Sequence, residues 1–319
     1  MSQLPRYSVI VPVYNRPQEV DELLASLERQ SYKNFEVVLV EDGSTLTSEK
    51  IFEKYTTTLS IQYFFKPNSG PGPSRNFGFE KARGEYFVVF DSDCILPDHY
   101  FETVEKVLTE FSLDAWGGPD RGHENFTPLQ QAMGYTMSSV LTTGGIRGGK
   151  KRVGTFQPRS FNMGISRTVF EKTGGFKFDR FAEDIEFSIR MKKFGFNVGL
   201  IPEAYVFHKR RTSLRQFYYQ VSNFGRGRIL VGKAHAGEVK ITHWFPALFT
   251  LGLFSIIPLI LVDIRLSEFL LTLYTVYLIA IFIDALRVTR SFSVALLSVP
   301  SALVQMFGYG MGFLKEKTK

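Results

Sequence analysis

The sequence predicts an α/β domain, doubly wound around a mostly parallel sheet, followed by a C-terminal helical membrane region. Three observations carry this. Between residue 7 and about residue 117, short apolar runs alternate with segments of helical periodicity. The ends of several of those runs carry polar and acidic residues, and most of the long uncharged runs lie beyond Trp244. Alternation of this kind gives parallel strands joined by crossover helices, and in such sheets ligands sit beyond the carboxyl ends of the strands.

The elements follow in order. Tyr7 to Val13 reads as a strand, and Pro17 then opens a helix in which Val20, Leu23, Leu24 and Leu27 recur at helical spacing. Phe35 to Glu41 is almost uniformly apolar, as a strand covered on both faces should be. A short helix near Ser48 to Tyr55 comes next, then a strand at Ile61 to Phe65 and a helix from about Ser74 to Ala82. The strand Tyr86 to Phe90 and a helix from Pro97 to Phe111 continue the pattern. Further on, Ser160 to Ile165 reads as a strand and Arg167 to Thr173 as a short helix broken by Gly174-Gly175. Phe181-Ala182-Glu183-Asp184 opens a helix that runs through Phe194.

Composition narrows the function classes. At 319 residues the chain exceeds one average domain, and its net charge of +7 suits nucleic acid, phosphorylated ligands or an anionic membrane surface. The placement of the charge favours the membrane. Lys209, Arg210, Arg211, Arg215, Arg226, Arg228 and Lys233 follow one another without an acidic residue, directly before the apolar C-terminal region. The single cysteine, Cys94, excludes an intramolecular disulfide and a Cys-rich zinc site. Met1 to Tyr14 has no extended apolar core of signal-peptide type, so the N-terminal part is expected to stay in the cytosol.

The strand ends hold the candidate chemistry. Asp91-Ser92-Asp93 follows the apolar run Tyr86 to Phe90, and side chains two apart on an extended segment project to one side, so both carboxylates can converge on a cation or on a ribose and a cation. An Asp pair at such a place is also an ordinary turn or cap. Its company matters: Pro12-Val13-Tyr14-Asn15 ends the first strand and Glu41-Asp42-Gly43-Ser44 the second. Asp42 can accept from a base N–H or a ribose hydroxyl, and Tyr14 offers a ring face to a base. Gly70-Pro71-Gly72-Pro73-Ser74-Arg75 supplies a tight turn before a helix, with Arg75 as a phosphate or carboxylate partner.

These segments together resemble glycosyltransferase family 2, of the inverting, membrane-anchored bacterial type, on the nucleotide-diphospho-sugar transferase (GT-A) fold. The likeness runs through Ser8 to Asn15, Phe35 to Ser44, Ser74 to Gly78 and Asp91-Ser92-Asp93, and continues in Gly174-Gly175-Phe176 and Glu183-Asp184. Each piece is degenerate, but the order and spacing are specific. The resemblance implies that Pro12, Tyr14 and Asp42 contact the nucleoside, that Asp93 binds the metal (Mg²⁺ or Mn²⁺) with Asp91 near the ribose, and that Asp184 is the catalytic base. The chain departs at Glu41, where an Asp is commoner, though a carboxylate is kept. Asp184 in a first helical turn would otherwise be a dipole complement. Glu183 and Asn162 are acceptor-side or supporting candidates. His208, after Ala204 to Phe207, is either a strand-end histidine or a further metal contact, as in relatives of this fold. The segment Gly117 to Arg159, with glycines and cations at Gly144 to Arg152, is expected to close over substrate.

From Ser213 to Val231, apolar and aromatic residues alternate with Arg215, Arg226 and Arg228, which fits an amphipathic helix in the bilayer interface or one packed on protein. Phe245 to Val262 and Leu266 to Ala285 approach the ~20 residues of a membrane helix, and Asp263, Arg265 and Glu268 mark the turn of a hairpin. Phe292 to Leu314 is a third run, interrupted by Pro300 and by Gly308, Gly310 and Gly312, that spans or re-enters. Three spans would put Lys315, Lys317 and Lys319 opposite Arg287 and Arg290, against the positive-inside tendency; a re-entrant third segment would put them together. The expected organisation is a cytosolic catalytic domain over 1–208, a basic interface helix and linker over 209–243, and a membrane region over 244–319.

The expectation is therefore a metal-dependent inverting glycosyltransferase at the cytoplasmic side of the inner (plasma) membrane. It would move a single sugar from a nucleotide-diphospho-sugar to a membrane-presented, polyprenyl-linked saccharide in surface polysaccharide biosynthesis. Polymerisation is disfavoured, because processive relatives carry Gln-x-x-Arg-Trp and neither Trp116 nor Trp244 follows an arginine. The alternatives are transfer directly to polyprenyl phosphate, and a non-catalytic membrane scaffold. No nucleic-acid partner is expected.

Overall fold

The computed structural model describes residues 4–122, 126–143, 156–209 and 211–319. Arg210, His123 and the Gly144 to Arg152 segment lie outside the described residues. The described chain divides into two compact units, one of residues 4–122 and 156–209 and the other of residues 126–143 and 211–319.

The first unit is built on a seven-stranded sheet. Its strands are β1 (Tyr7–Val13), β2 (Phe35–Asp42), β3 (Ile61–Lys66), β4 (Tyr86–Phe90), β6 (Ala115–Gly117), β8 (Asn162–Ser166) and β9 (Val198–Leu200), in the spatial order β3-β2-β1-β4-β8-β6-β9. The four strands from β3 to β4 are parallel, and β8 alone runs antiparallel to its neighbours, with Asn162 paired to Phe90. A small second sheet joins β5 (Cys94–Ile95), β10 (Val206–His208) and β7 (Asp120–Arg121).

Helices cover both faces, and the period-2 alternation of the strands decides which side chain meets which layer. Val9, Val11, Val37 and Leu39 pack with Val20, Leu23, Leu24 and Leu27 of α1 (Pro17–Glu28) and with Tyr100, Phe101 and Val104 of α4 (Tyr100–Glu110). On the other face Ile10, Val38 and Val40 pack with Phe79 of α3 (Pro71–Lys81), Val169 of α7 (Arg167–Thr173) and Phe187 of α8 (Glu183–Lys193). The short α2 (Glu49–Tyr55) lies between β2 and β3 in the chain. This is the doubly wound, mostly parallel α/β architecture that the alternating pattern predicts.

The second unit is helical. It holds α5 (Pro128–Ser138), α6 (Val140–Thr143), α9 (Leu214–Ala234), α10 (Phe245–Val262), α11 (Ile264–Thr289) and α12 (Phe292–Lys317). Thr127 and Gln130 form a capping box on α5, and Asp263 caps α11 by accepting from the Leu266 N–H at 3.1 Å. Three stretches, Ile241–Val262, Ile264–Thr289 and Phe292–Lys317, are long and apolar enough to cross a membrane. The buried face of α9, which includes Phe217, Val221 and Gly225, is taken up by helices of this unit.

Candidate active site

The carboxyl ends of β1, β2 and β4 bring the predicted residues together. Asp42 ends β2 and is almost wholly buried. Its carboxylate accepts from the Ser69 N–H at 2.9 Å, from the Gly70 N–H at 2.8 Å and from the Lys66 ammonium, which the sheet register sets opposite it. Burial works to raise the Asp42 pKa, but the ammonium and the two amides outweigh it, so the group is held below its ordinary value. Gly70 makes this possible: its φ is +101°, and a Cβ there would run into the Asp179 carbonyl and the Arg180 side chain.

Glu41, the departure from the commoner Asp, points away from that cluster. It accepts from the Ser48 N–H at 2.8 Å and from the Ser44 hydroxyl, and so fixes the loop that leads into α2. Asn15, at φ 54°, holds the same loop from the other side, its side-chain carbonyl accepting from the N–H groups of Thr45 and Leu46 at 2.8 and 2.9 Å. Pro12 is partly exposed and the Tyr14 ring is 53% exposed.

Arg75 is the hub of the site. It is buried, and its two terminal nitrogens donate to different carboxylates, one to Asp91 and one to Glu183, each at 2.8 Å. The guanidinium also lies 5.2 Å from the Phe176 ring centre, while its Nε is buried without a partner. Arg75 thus joins the loop after β4 to the start of α8, and of the two roles that its sequence position allowed it takes the carboxylate one. Glu183 is pushed up to about 7 by burial, with Arg75 opposing and the neighbouring Asp184 adding to the rise. Asp184 occupies the next position of the same helical turn, with Arg159 3.6 Å from its carboxylate.

Asp93 is held between two further groups. His208 Nε2 lies 3.1 Å from one carboxylate oxygen, and the Arg16 guanidinium donates to the other. The His208 ring stacks on Phe161 at 5.1 Å. Burial lowers the His208 pKa, yet the bond to Asp93 and the nearby acids outweigh it and the net shift is upward. Asp93, Cys94 and His208 offer ligand atoms within 4.8 Å of one another. Burial pushes the Cys94 thiol up and its Sγ faces the Phe161 carbonyl at 3.4 Å, so it is a poor donor to a hard cation. The carboxylate and imidazole fit Mg²⁺ or Mn²⁺, whose remaining positions diphosphate and water oxygens can fill. Asn162 lies beside this end of the sheet but spends its side chain inside, donating to the Ala204 carbonyl at 2.8 Å and accepting from the Tyr100 hydroxyl at 2.6 Å.

Residues 8–174 match the model of glycosyl transferase family 2. The chain belongs to this family. An uncharacterized glycosyltransferase of Haemophilus influenzae is 38% identical over 101 residues, 31% of this chain and 40% of that protein. The poly(ribitol-phosphate) beta-N-acetylglucosaminyltransferase TarS of Staphylococcus aureus is 42% identical over 113 residues, 34% of this chain and 20% of that protein. This chain therefore accounts for well under half the length of either curated relative. Among solved structures, the mannosyltransferase PcManGT from Pyrobaculum calidifontis superposes with a TM-score of 0.64 at 17% identity, covering 96% of this chain and 88% of that one. That likeness is one of fold.

Sequence reasoning missed three cations that the structure puts on the carboxylates: Arg16 on Asp93, Lys66 on Asp42 and Arg159 on Asp184. For Lys66 a signal existed. The strand that the sequence places at Ile61 to Phe65 runs one residue further, to Lys66, the position that pairs with Asp42.

Proposed function

We propose that this family 2 chain is an inverting glycosyltransferase that moves one sugar from a nucleotide-diphospho-sugar to a saccharide presented at a membrane on a polyprenyl carrier. The observation that carries the reading is the Arg75 bridge. It ties Asp91, on the donor side of the site, to the helical turn of Glu183 and Asp184, where a base is needed.

In this reading Asp42 receives the nucleoside's donor groups and Tyr14 covers the base. Asp91, steadied by Arg75, accepts from the ribose. Asp93 and His208 hold Mg²⁺ or Mn²⁺, which when bound supplies positive charge for the departing diphosphate. Asp184 takes the proton from the acceptor hydroxyl as the new C1–O bond forms on the face opposite the breaking one, so the anomeric configuration inverts. The donor class draws support from the relatives: the Pyrobaculum enzyme was solved with GDP-Man and Mn²⁺. The membrane-borne acceptor draws support from the apolar helices of the same chain, and a cytosolic site at the inner membrane is part of the proposal.

Thermal shift of the full chain against UDP-, GDP- and TDP-sugars, each with and without Mn²⁺, tests this directly. One donor should raise the melting temperature in a Mn²⁺-dependent manner. A flat response to all of them would sink the reading. Offering the responsive donor with bare polyprenyl phosphate and with a polyprenyl-linked saccharide then separates the two acceptor classes, since only the second should be glycosylated.

A further inference from the structure

Length and composition treat the three apolar helices alike, but their contacts do not. α10 and α11 form an antiparallel hairpin: the Tyr274 hydroxyl donates to the Phe249 carbonyl at 2.5 Å and the Ser267 hydroxyl to the Ile256 carbonyl at 3.0 Å. The start of α10 and the last turns of α11 therefore lie at one end of the hairpin, and the Asp263 turn lies at the other. α12 begins at the first end, with Phe292 5.8 Å from Phe282 of α11.

A third span running back beside α11 would carry Gly310 about 27 Å along the hairpin, to the level of the Asp263 turn. Gly310 is not there. It lies against the Pro246 carbonyl and the Thr250 hydroxyl, in the first turns of α10, so closely that a Cβ would collide with both. Phe313 meets the Trp244 ring edge-on at 4.9 Å, and the Lys317 ammonium is 6.0 Å from the same ring. Both ends of α12 are thus at one end of the hairpin, and the helix passes across it.

A second observation is independent of the first. Along its C-terminal half α12 is packed against α9: Gly308 against Val221 and Tyr218, Gly312 against the Ser222 carbonyl, Gly225 against the Tyr309 carbonyl, and Arg226 paired with the buried Glu316 at 3.2 Å. α9 carries Arg215, Arg226, Arg228 and Lys233, a load that hydrocarbon does not accept. Helix α5 joins the same end, its Tyr135 hydroxyl donating to Asp284 near the end of α11 at 2.5 Å.

We propose that, of the three apolar helices, only α10 and α11 cross the membrane, and that α12 lies in the plane of one interface with α9 and α5, its basic rim on anionic phospholipid headgroups. Trp244 then sits at the headgroup level that its ring favours, and Lys315, Lys317 and Lys319 share a side with Arg228, Lys240 and Arg290. The inference is independent of the proposed chemistry, and its test involves no glycosyl transfer.

Variants of the full chain with one added cysteine in sealed vesicles, probed with a membrane-impermeant maleimide, read the topology; the parent, whose only cysteine is the buried Cys94, supplies the blank. Lys319→Cys and Ala236→Cys should label from the same side, and Arg265→Cys from the other. Labelling of Lys319→Cys together with Arg265→Cys would mean three spans and overturn the proposal, as would labelling of all three from one side. Depth gives a second reading. A nitroxide at Leu303→Cys should collide readily with a water-soluble nickel chelate, while one at Leu271→Cys should meet mainly oxygen; equal depths overturn the in-plane helix. For the rim, phosphatidylglycerol should raise the melting temperature of the detergent-solubilised chain more than phosphatidylcholine does, and changing Lys315, Lys317 and Lys319 to Gln should abolish the difference. Equal shifts from the two lipids, or a difference that survives those changes, would refute the headgroup contact.

Discussion

The sides of the site that the proposed function assigns to donor and acceptor handle negative charge differently. Asp42 has Lys66 and two backbone amides, and Asp93 has Arg16 and His208. Asp91 has one nitrogen of Arg75. On the acceptor side, Glu183 and Asp184 stand side by side with the other nitrogen of Arg75 and with Arg159 at 3.6 Å. Under the proposed function Asp42 and Asp93 are the carboxylates best matched with positive charge, as ligands to a nucleoside and a cation should be. Glu183 and Asp184 are adjacent carboxylates that share less positive charge, which suits the proton uptake that the proposed function assigns to that turn.

The sharpest way to break that contrast is to neutralise one member on each side. Asp184→Asn should lower transfer by roughly 10²–10⁴-fold, the span attributed to a general base, while the Kd for the donor nucleotide stays within about twofold of wild type. Asp93→Ala should do the reverse in binding, removing the Mn²⁺-dependent part of nucleotide affinity as measured by calorimetry. If Asp184→Asn weakens nucleotide binding as much as Asp93→Ala does, the division into two sides is wrong.

Arg75 is where the two sides meet, so removing it tests whether they are one network. Arg75→Met keeps much of the side chain's apolar bulk but leaves Asp91 and Glu183 without their shared cation. Removing one partner of a buried ionic network costs about 3–5 kcal/mol, because uncompensated charge stays behind. The variant should therefore melt well below wild type. Arg75→Met with Glu183→Gln should recover part of the loss, and a double variant no more stable than the single one would show that Arg75 does not act through Glu183.

Most of the first unit was legible in the sequence because its signals are local. The uniformly buried β2 announces a central parallel strand, and Val20, Leu23, Leu24 and Leu27 announce the buried stripe of α1. The short strands β6, β7 and β9, of two or three residues each, were not legible, since so few residues show no period and exist only through their partners. The site divides the same way. Asp42, Asp91, Asp93, Glu183 and Asp184 stand at element ends that can be read from the chain, whereas the Arg75 bridge to Glu183 joins residues 108 apart and depends on the approach of α8 to α3. For α12 the sequence leaves two courses open, spanning or re-entering, because Pro300 and the glycines interrupt the run without deciding between them. Its composition permits a span, and the close approach of Gly310 to α10 is what supports the in-plane course proposed above.

The smallest expected effect concerns Glu183 and pH. Its ordinary pKa is 4.5, and in the folded chain burial raises it to about 7, against the pull of Arg75 and with the push of Asp184. Between these values the folded chain holds a proton that the unfolded chain has released, so stability falls as pH rises through the window and the loss is complete above about 7. This is opposite to the usual carboxylate, whose depressed pKa makes it stabilising at high pH. The shift sets a ceiling of about 3 kcal/mol at roughly 1.4 kcal/mol per unit, and local relaxation should leave about 1 kcal/mol, or roughly 2–4 °C in melting temperature. Glu183→Gln mimics the protonated form and keeps an oxygen for Arg75. Scans of the full chain at pH 5 and pH 8 should show wild type losing more stability than Glu183→Gln over that interval. Equal losses would mean that Glu183 stays ionised throughout, which would make the acceptor side as fully compensated as the donor side.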